Sequence, residues 1–309
     1  MVEKERIVVA LLAEDQEFQR LQADDARAAA GHAGFDVQVV FAENSAILQI
    51  QQLYKAVHAP AEQRPKAIIV ETVVGEGLSR VASAATRVGV GWVLINRKVP
   101  YLEGLRREHP GLPIAAVSTD QVEVGRIQAR QFQALIPSGQ GVVLYLQGPS
   151  DTSAAQDRLQ GAREVLAGSR IDLKVLDGQW TEASGEQAVQ RWLRLKSSED
   201  LRPDVVGCQN DAMAVGARKA LEGWSARPDL KHLPLTGCDG LPDSGQRLVN
   251  MGQLAATVAV PSNTGPAVEA VARALKTRQP IPAEVLLRPS SYPPEAELIR
   301  RLASRRTPG

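Results

Sequence analysis

The chain has 309 residues, 44% of them apolar and 23% charged, and a formal net charge of +1. This composition is globular, with material for one large core or two smaller ones. It argues against nucleic acid as the main partner, because a phosphate-binding surface needs a basic excess.

Only the tail "RRLASRRTPG" is locally basic, and it reads as a solvated, frayed end. Two cysteines, Cys208 and Cys238, are too few for a disulfide framework, and the 4 histidines carry no metal-ligand spacing. No metal site and no cofactor is expected. No apolar run approaches the roughly 18 residues that a membrane span needs.

Short β-branched runs alternate with longer helical patterns along the chain. "RIVVALLA" predicts a strand, and "EFQRLQADDARAAAGHAG" a helix stopped by glycine. Strand "FDVQVVFA", helix "SAILQIQQLYKAV", strand "KAIIVET", helix "LSRVASAATRVG" and strand "GWVLINR" follow. The stretch "KVPYLEGLRREHPGLP" reads as a loop. Beyond it, strands are predicted at "IAAVST", "GVVLYLQG", "IDLKVLDG", "PDVVGCQ", "LPLTGCDG" and "LAATVAV", with helices between and after them.

Continuous apolar strands separated by helices imply an α/β fold of parallel sheets with right-handed crossovers. About ten strands exceed one ordinary sheet, so two doubly wound parallel-sheet lobes are expected. In such sheets ligands sit outside the carboxyl ends of the strands.

Those positions are polar. Asp15 and Phe18 follow the first strand, along with Glu14 and Glu17. Glu71 follows "KAIIV", Asn96 and Arg97 follow "WVLI", and Arg158 lies in the helix after "VVLYLQG". Trp180 follows "LKVLDG", Gln209, Asn210 and Asp211 follow "VVGC", and Asp239 follows "LTGC". Each has a plain structural alternative: Asn210 or Asp211 as a helix cap, Arg158 as a solvated helix face, Trp180 as core. As a set they suit a polyhydroxylated ring, with planar donors and acceptors for its hydroxyls and aromatic faces for its C–H faces. No nucleophile–base pair, P-loop or strand-linked dinucleotide fingerprint is present, so no catalytic residue is assigned.

The stretches "LQGPSDTSAAQDRLQGA" (146–162), "CQNDAMAVGARKAL" (208–221) and "LTGCDGLPDSGQRLVNMGQLAATVAV" resemble the type I periplasmic binding proteins, in particular their ribose-type sugar-binding branch. The resemblance covers about residues 6 to 288. The same module forms the ligand-binding core of lac-repressor-type regulators, whose DNA-binding segment precedes the first strand; here that strand starts at about residue 6. The family implies two lobes joined by three crossings that close on a ligand by hinge motion. One lobe is expected at 1–118 plus 261–288, the other at 119–260 plus 289–309.

The resemblance also implies ligand contacts in the cleft between lobes. Arg97, Arg158, Asn210 and Asp239 match family contacts, Asn96 stands where the family has Asp or Asn, and Trp180 and Phe18 supply the aromatic faces. Three positions depart from the ribose pattern. The first loop reads Asp15-Gln16-Glu17-Phe18, Glu71 replaces an asparagine, and Val260 replaces a glutamine. A ligand other than ribose is therefore expected. It either carries a cationic group, as in an amino sugar, or Glu17 and Glu71 pair with Arg97 or Lys98 and pre-organise the site.

Cys208 and Cys238 end strands expected to be neighbours. Reduced core thiols are favoured over a disulfide. The function implied is that of a monomeric, non-enzymatic solute-binding protein for a sugar or polyol, serving a membrane permease or a signalling partner. The alternative is a cytoplasmic ligand-sensing or partner-docking module with an altered cleft. The N-terminus "MVEKERIVVALLAEDQEF" carries no visible secretion signal, whereas the family is mostly exported; the periplasm is the expected location, and the cytoplasm if Met1 is the natural start.

Overall fold

The computed structural model describes residues 4–198 and 200–304, so 305–309 of the basic tail lie outside the described residues. The elements run β1 (Arg6–Leu11), α1 (Glu17–Ala33), β2 (Asp36–Phe41), α2 (Ala46–Val57), β3 (Ala67–Val70), α3 (Ser79–Arg87), β4 (Gly91–Ile95), α4 (Tyr101–Glu108), β5 (Ile114–Thr119). They continue α5 (Gln121–Leu135), β6 (Gln140–Gln147), α6 (Ser153–Leu166), β7 (Arg170–Asp177), α7 (Glu182–Leu193), β8 (Val205–Cys208), α8 (Asp211–Gly223), β9 (Leu235–Thr236). Then come α9 (Arg247–Asn250), β10 (Thr257–Ala259), α10 (Thr264–Thr277), β11 (Glu284–Leu287), β12 (Ser290–Tyr292) and α11 (Glu295–Ser304). No helix among the described residues is long and apolar enough to cross a membrane.

The chain divides into two compact units. The first holds the chain up to Thr119 together with Ser262–Leu287, and the second Asp120–Pro261 with the chain from Arg288 onward.

In the first unit six strands form one parallel sheet in the order β11-β5-β4-β3-β1-β2. Its apolar strands are buried on both faces. Ile7, Val9 and Leu11 of β1 pack on one side with α1 and α10, and Val8 and Ala10 on the other with Leu53, Val81 and Trp92. Strand order reverses between β1 and β3, which makes their carboxyl ends the place where an open α/β sheet takes a ligand.

In the second unit four parallel strands order as β7-β6-β8-β9, and the reversal lies between β6 and β8. Again β6 splits its side chains, Leu144 and Leu146 to one core and Val143 and Tyr145 to the other. Helices α5 and α6 cross so closely that a Cβ on Gly161 would stand 1.9 Å from the Val122 carbonyl oxygen, and one on Gly125 the same distance from that of Arg158. The crossing therefore fixes the turn of α6 that carries Arg158.

Three features differ from the sequence expectation. The stretch read as a loop contains α4, which buries only Leu105 among its eight residues. Its Pro100 start, Gly104 and charged face hid a helix whose apolar side is only Tyr101, Leu102 and Leu105. The "LPLTGCDG" strand is regular only over two residues, Leu235–Thr236. And "LAATVAV" yields a regular strand of only three residues, β10, which pairs antiparallel with β12 on one side and bridges in parallel to the chain through and beyond β9 on the other, at Thr236–Ala256 and Asp239–Ala259.

Candidate functional site

Each unit gathers polar side chains at the carboxyl ends of its strands. In the first unit the centre is Glu71, directly after β3 and 3% exposed. Its Oε2 accepts from Gln19 Nε2 at 3.0 Å, Gln22 Nε2 at 2.9 Å and Asn96 Nδ2 at 3.3 Å. Its Oε1 faces Arg97 Nη2 at 3.5 Å.

Asn96 holds a left-handed backbone conformation, φ 57°, at the end of β4. Its Oδ1 accepts from Asn263 Nδ2, and its Nδ2 also reaches Gln22 Oε1 at 3.4 Å. Arg97 Nη1 returns to the Asn96 carbonyl at 3.2 Å. A buried carboxylate is tolerated only when paired and hydrogen-bonded, and here both conditions are met by four side chains from two segments, α1 and the turn after β4.

Of the two readings open for Glu71, internal pairing with Arg97 is the one observed. Glu17, by contrast, is exposed in the first turn of α1. Asp15 is exposed in the β1–α1 connection, where its carbonyl accepts from Arg20 Nη1 at 2.9 Å, and Phe18 is half-buried. Neither touches the Glu71 network through a hydrogen bond among the described contacts.

The second unit clamps Arg158, which is 6% exposed. Its Nε donates to Gln121 Oε1 at 2.7 Å and its Nη1 to the carbonyl of Gln209. The guanidinium carbon lies 5.4 Å from the centroid of the Trp180 ring, a cation–π contact. Trp180 sits in the left-handed region, φ 61°. Its ring covers Gly148: a Cβ there would lie 2.0 to 2.3 Å from the indole, so only glycine admits the ring.

Gln209 is fully buried and ties three segments together. Its Oε1 accepts from Gly148 N at 3.0 Å, and its Nε2 donates to the Ala155 carbonyl at 3.0 Å and to Tyr145 Oη at 3.2 Å. The Tyr145 phenol is pushed up by burial.

Asn210 is the N-cap of α8, its Oδ1 accepting from Met213 N at 2.9 Å. Its Nδ2 donates to the Trp180 carbonyl at 2.9 Å, so the cap also fastens the segment bearing the indole. Asp239 is half-buried beyond β9, with φ 101°. Val260, at the third departing position, is buried and donates its N–H to the Asp239 carbonyl at 3.0 Å. Cys208 and Cys238 are free and fully buried. Burial pushes both thiols up, Cys238 to about 12.

Arg97, Asn96 and Glu71 thus come together in the first unit, and Arg158, Trp180 and Asn210 in the second. The sequence reading did not include the supporting layer: Gln19, Gln22 and Asn263 in the first unit, Gln121 in the second. A signal was present for the glutamines. Gln19 and Gln22 continue the buried stripe of α1 that runs through Ala23, Ala26, Ala29 and Ala30, placing amides where apolar side chains belong. On α5, Gln121, Gln128 and Gln131 do the same.

The family model described as "Periplasmic binding protein domain" matches residues 7–278. The chain belongs to this family. The ribose import binding protein of Escherichia coli is 32% identical over 165 residues, 52% of this chain and 51% of that protein. The xylitol-binding protein of Mycolicibacterium smegmatis is 29% identical over 214 residues, 69% of this chain and 57% of that protein. The chain thus spans about half the length of the curated relatives it matches.

A solved structure, the periplasmic binding component of the arabinose ABC transporter from Shewanella sp. ANA-3 bound to L-arabinofuranose, superposes with a TM-score of 0.80. It is 21% identical and covers 98% of this chain and 99% of its own. That likeness establishes the fold. In this chain the buried Glu71, Arg97, Arg158 and their amide partners gather near the carboxyl ends of its own strands.

Proposed function

We propose that this periplasmic binding protein is a non-enzymatic solute-binding protein for a small neutral sugar or polyol, contacted by strand-end residues of each unit: Asp15, Phe18, Glu71, Asn96, Arg97, Arg158, Trp180, Asn210 and Asp239. It works in the periplasm as the binding component of a sugar importer and presents its liganded form to a membrane permease. The observation that carries this reading is Arg158, clamped by Gln121 and Gln209 against the Trp180 face. A planar multi-donor group fixed beside an aromatic face suits a ring or chain with hydroxyls along one edge and C–H groups along the other.

The relatives named for ribose and xylitol and the neighbour bound to arabinofuranose support a ligand of this size. The compensated charge of Glu71 favours a neutral ligand over an amino sugar, since that carboxylate already faces Arg97.

A thermal-shift screen against D-ribose, xylitol, L-arabinose, myo-inositol and D-glucosamine tests the proposal. A ligand at 100 times its Kd adds about 2.7 kcal/mol of stability, a shift of several degrees. The expected result is a shift with at least one neutral compound, lost in Arg158→Ala. A shift with glucosamine alone overturns the neutral-ligand reading, and a flat screen on folded protein overturns the sugar reading.

A further inference from the structure

Asp239 stands in a backbone conformation that L-residues rarely adopt, φ 101°, followed by Gly240 at φ 57°. Such a pair persists only where its surroundings over-determine it. Here all four backbone groups of the dipeptide are taken. Asp239 N donates to the Val258 carbonyl at 3.1 Å, and its own carbonyl accepts from Val260 N at 3.0 Å. The Gly240 carbonyl accepts from Gln246 Nε2 at 2.8 Å. Gly240 N donates to a side chain, Asp211 Oδ2, at 2.8 Å.

Asp211 is 5% exposed at the first turn of α8. Its other oxygen, Oδ1, accepts from Thr257 Oγ1 at 2.7 Å, and its own N–H donates to the Cys238 carbonyl at 2.6 Å. One residue therefore binds the chain before Asp239, the chain after it, and β10 beside it. The loop is shaped around this carboxylate. A Cβ on Gly237 would lie 1.9 Å from Asp211 Oδ1, and one on Gly245 would lie 2.0 Å from Oδ2.

We propose that Asp211 is a positioning residue of the ligand site, holding the Asp239–Gly240 turn so that the Asp239 carboxylate is presented in one fixed direction. The inference rests on the reading above that Asp239 contacts the ligand. Charge-assisted acceptance of a backbone N–H is the strong form of such a bond, and it is buried here, where its loss is most costly. Asp211 itself does not touch the ligand; it acts through Asp239.

The test is a double-mutant cycle on the full chain, with dissociation constants measured calorimetrically for D-ribose, xylitol, L-arabinose and myo-inositol. Asp211→Ala is expected to weaken binding about tenfold or more in the wild-type background and less than about twofold in an Asp239→Ala background. Asp211→Asn is expected to retain binding within a few-fold. Its amide can still accept from Gly240 N and donate to Thr257 Oγ1. Gly245→Ala, which drives a methyl into the carboxylate, should copy Asp211→Ala, and so should Thr257→Val to a smaller degree if Asp211→Ala does not fold.

Hydrogen exchange at the Gly240 amide, which needs no ligand, should accelerate in the same variants. Equal losses in both backgrounds overturn the proposal, because they mean Asp211 acts on binding by some route other than Asp239. An unaltered Gly240 exchange rate in Asp211→Ala overturns it as well. A wild-type chain that binds none of the four compounds overturns the sugar reading, and the ligand clause of this proposal with it.

Discussion

Replacing Glu71 with glutamine changes one atom and should cost more than any surface substitution in the chain. The carboxylate spends one oxygen on three amide donors, at 2.9, 3.0 and 3.3 Å, and turns the other toward Arg97 at 3.5 Å. A glutamine amide cannot serve both sides. With its nitrogen in place of Oε2 it meets three donors, and with its nitrogen in place of Oε1 it meets the Arg97 cation. The partners cannot flip to compensate: Gln19 Oε1 already accepts from Leu12 N at 3.0 Å, and Gln22 Oε1 from Asn96. Breaking one side of a buried, hydrogen-bonded charge pair costs about 3–5 kcal/mol. Native-state hydrogen exchange in Glu71→Gln should therefore speed up the slowest amides of β3 and β4 by roughly 100- to 5000-fold, while those of β6 and β8 in the other unit keep their rates. A change below about tenfold in β3 and β4 would show that the network is relaxed or solvated, and would remove the physical basis for calling it pre-organised.

Two further outcomes follow from the same kind of geometry. Gly148→Ala forces a methyl into the Trp180 ring, where the nearest ring carbon would be 2.0 Å away. The variant should lose about 1–3 kcal/mol of stability and weaken ligand binding, read by urea unfolding and calorimetry. Cys238, pushed up to about 12 by burial, stays a thiol in the folded chain at pH values where the unfolded chain ionises at about 8.5. The stability it confers is complete below about pH 8.5 and is lost as pH rises toward 12, at up to about 1.4 kcal/mol per pH unit. Cys238→Ala should lessen the decline in urea midpoint between about pH 9 and about pH 10.5, a range inside the window between about 8.5 and about 12 that those two values set.

The parts of this molecule that were legible in its sequence are those that depend on local pattern. Apolar runs such as "RIVVAL" and "GVVLYLQ" read as buried strands because both their faces are in core, and that follows from composition alone. The polar residues at their carboxyl ends were legible for the complementary reason: a polar side chain directly after a buried strand has few places to be except a cap or a site. Short elements were less legible. β9 has two residues and β10 three, and they are strands because of what lies beside them rather than because of their own periodicity. The supporting layer was the least legible. Gln19, Gln121 and Asn263 look, one at a time, like ordinary surface residues, and only the tertiary fold buries them against the Glu71 carboxylate, the Arg158 guanidinium and the Asn96 amide.

Asn210 and Asp211 show where this boundary falls. The adjacent pair suggests a helix cap or a ligand contact, and the sequence leaves both open. In the structure Asn210 is the cap and also fastens the Trp180 segment, while Asp211 reaches forward to residues 237–257. Its partners lie 29 and 46 residues away, beyond any local pattern. The division of labour has a physical reason. A cap needs an acceptor that points back along its own helix, which a short neutral amide supplies while keeping a donor to spare. Fixing a left-handed aspartate in a neighbouring loop needs an acceptor strong enough to offset backbone strain of about 1–3 kcal/mol, which a buried carboxylate supplies and a neutral side chain does so less well.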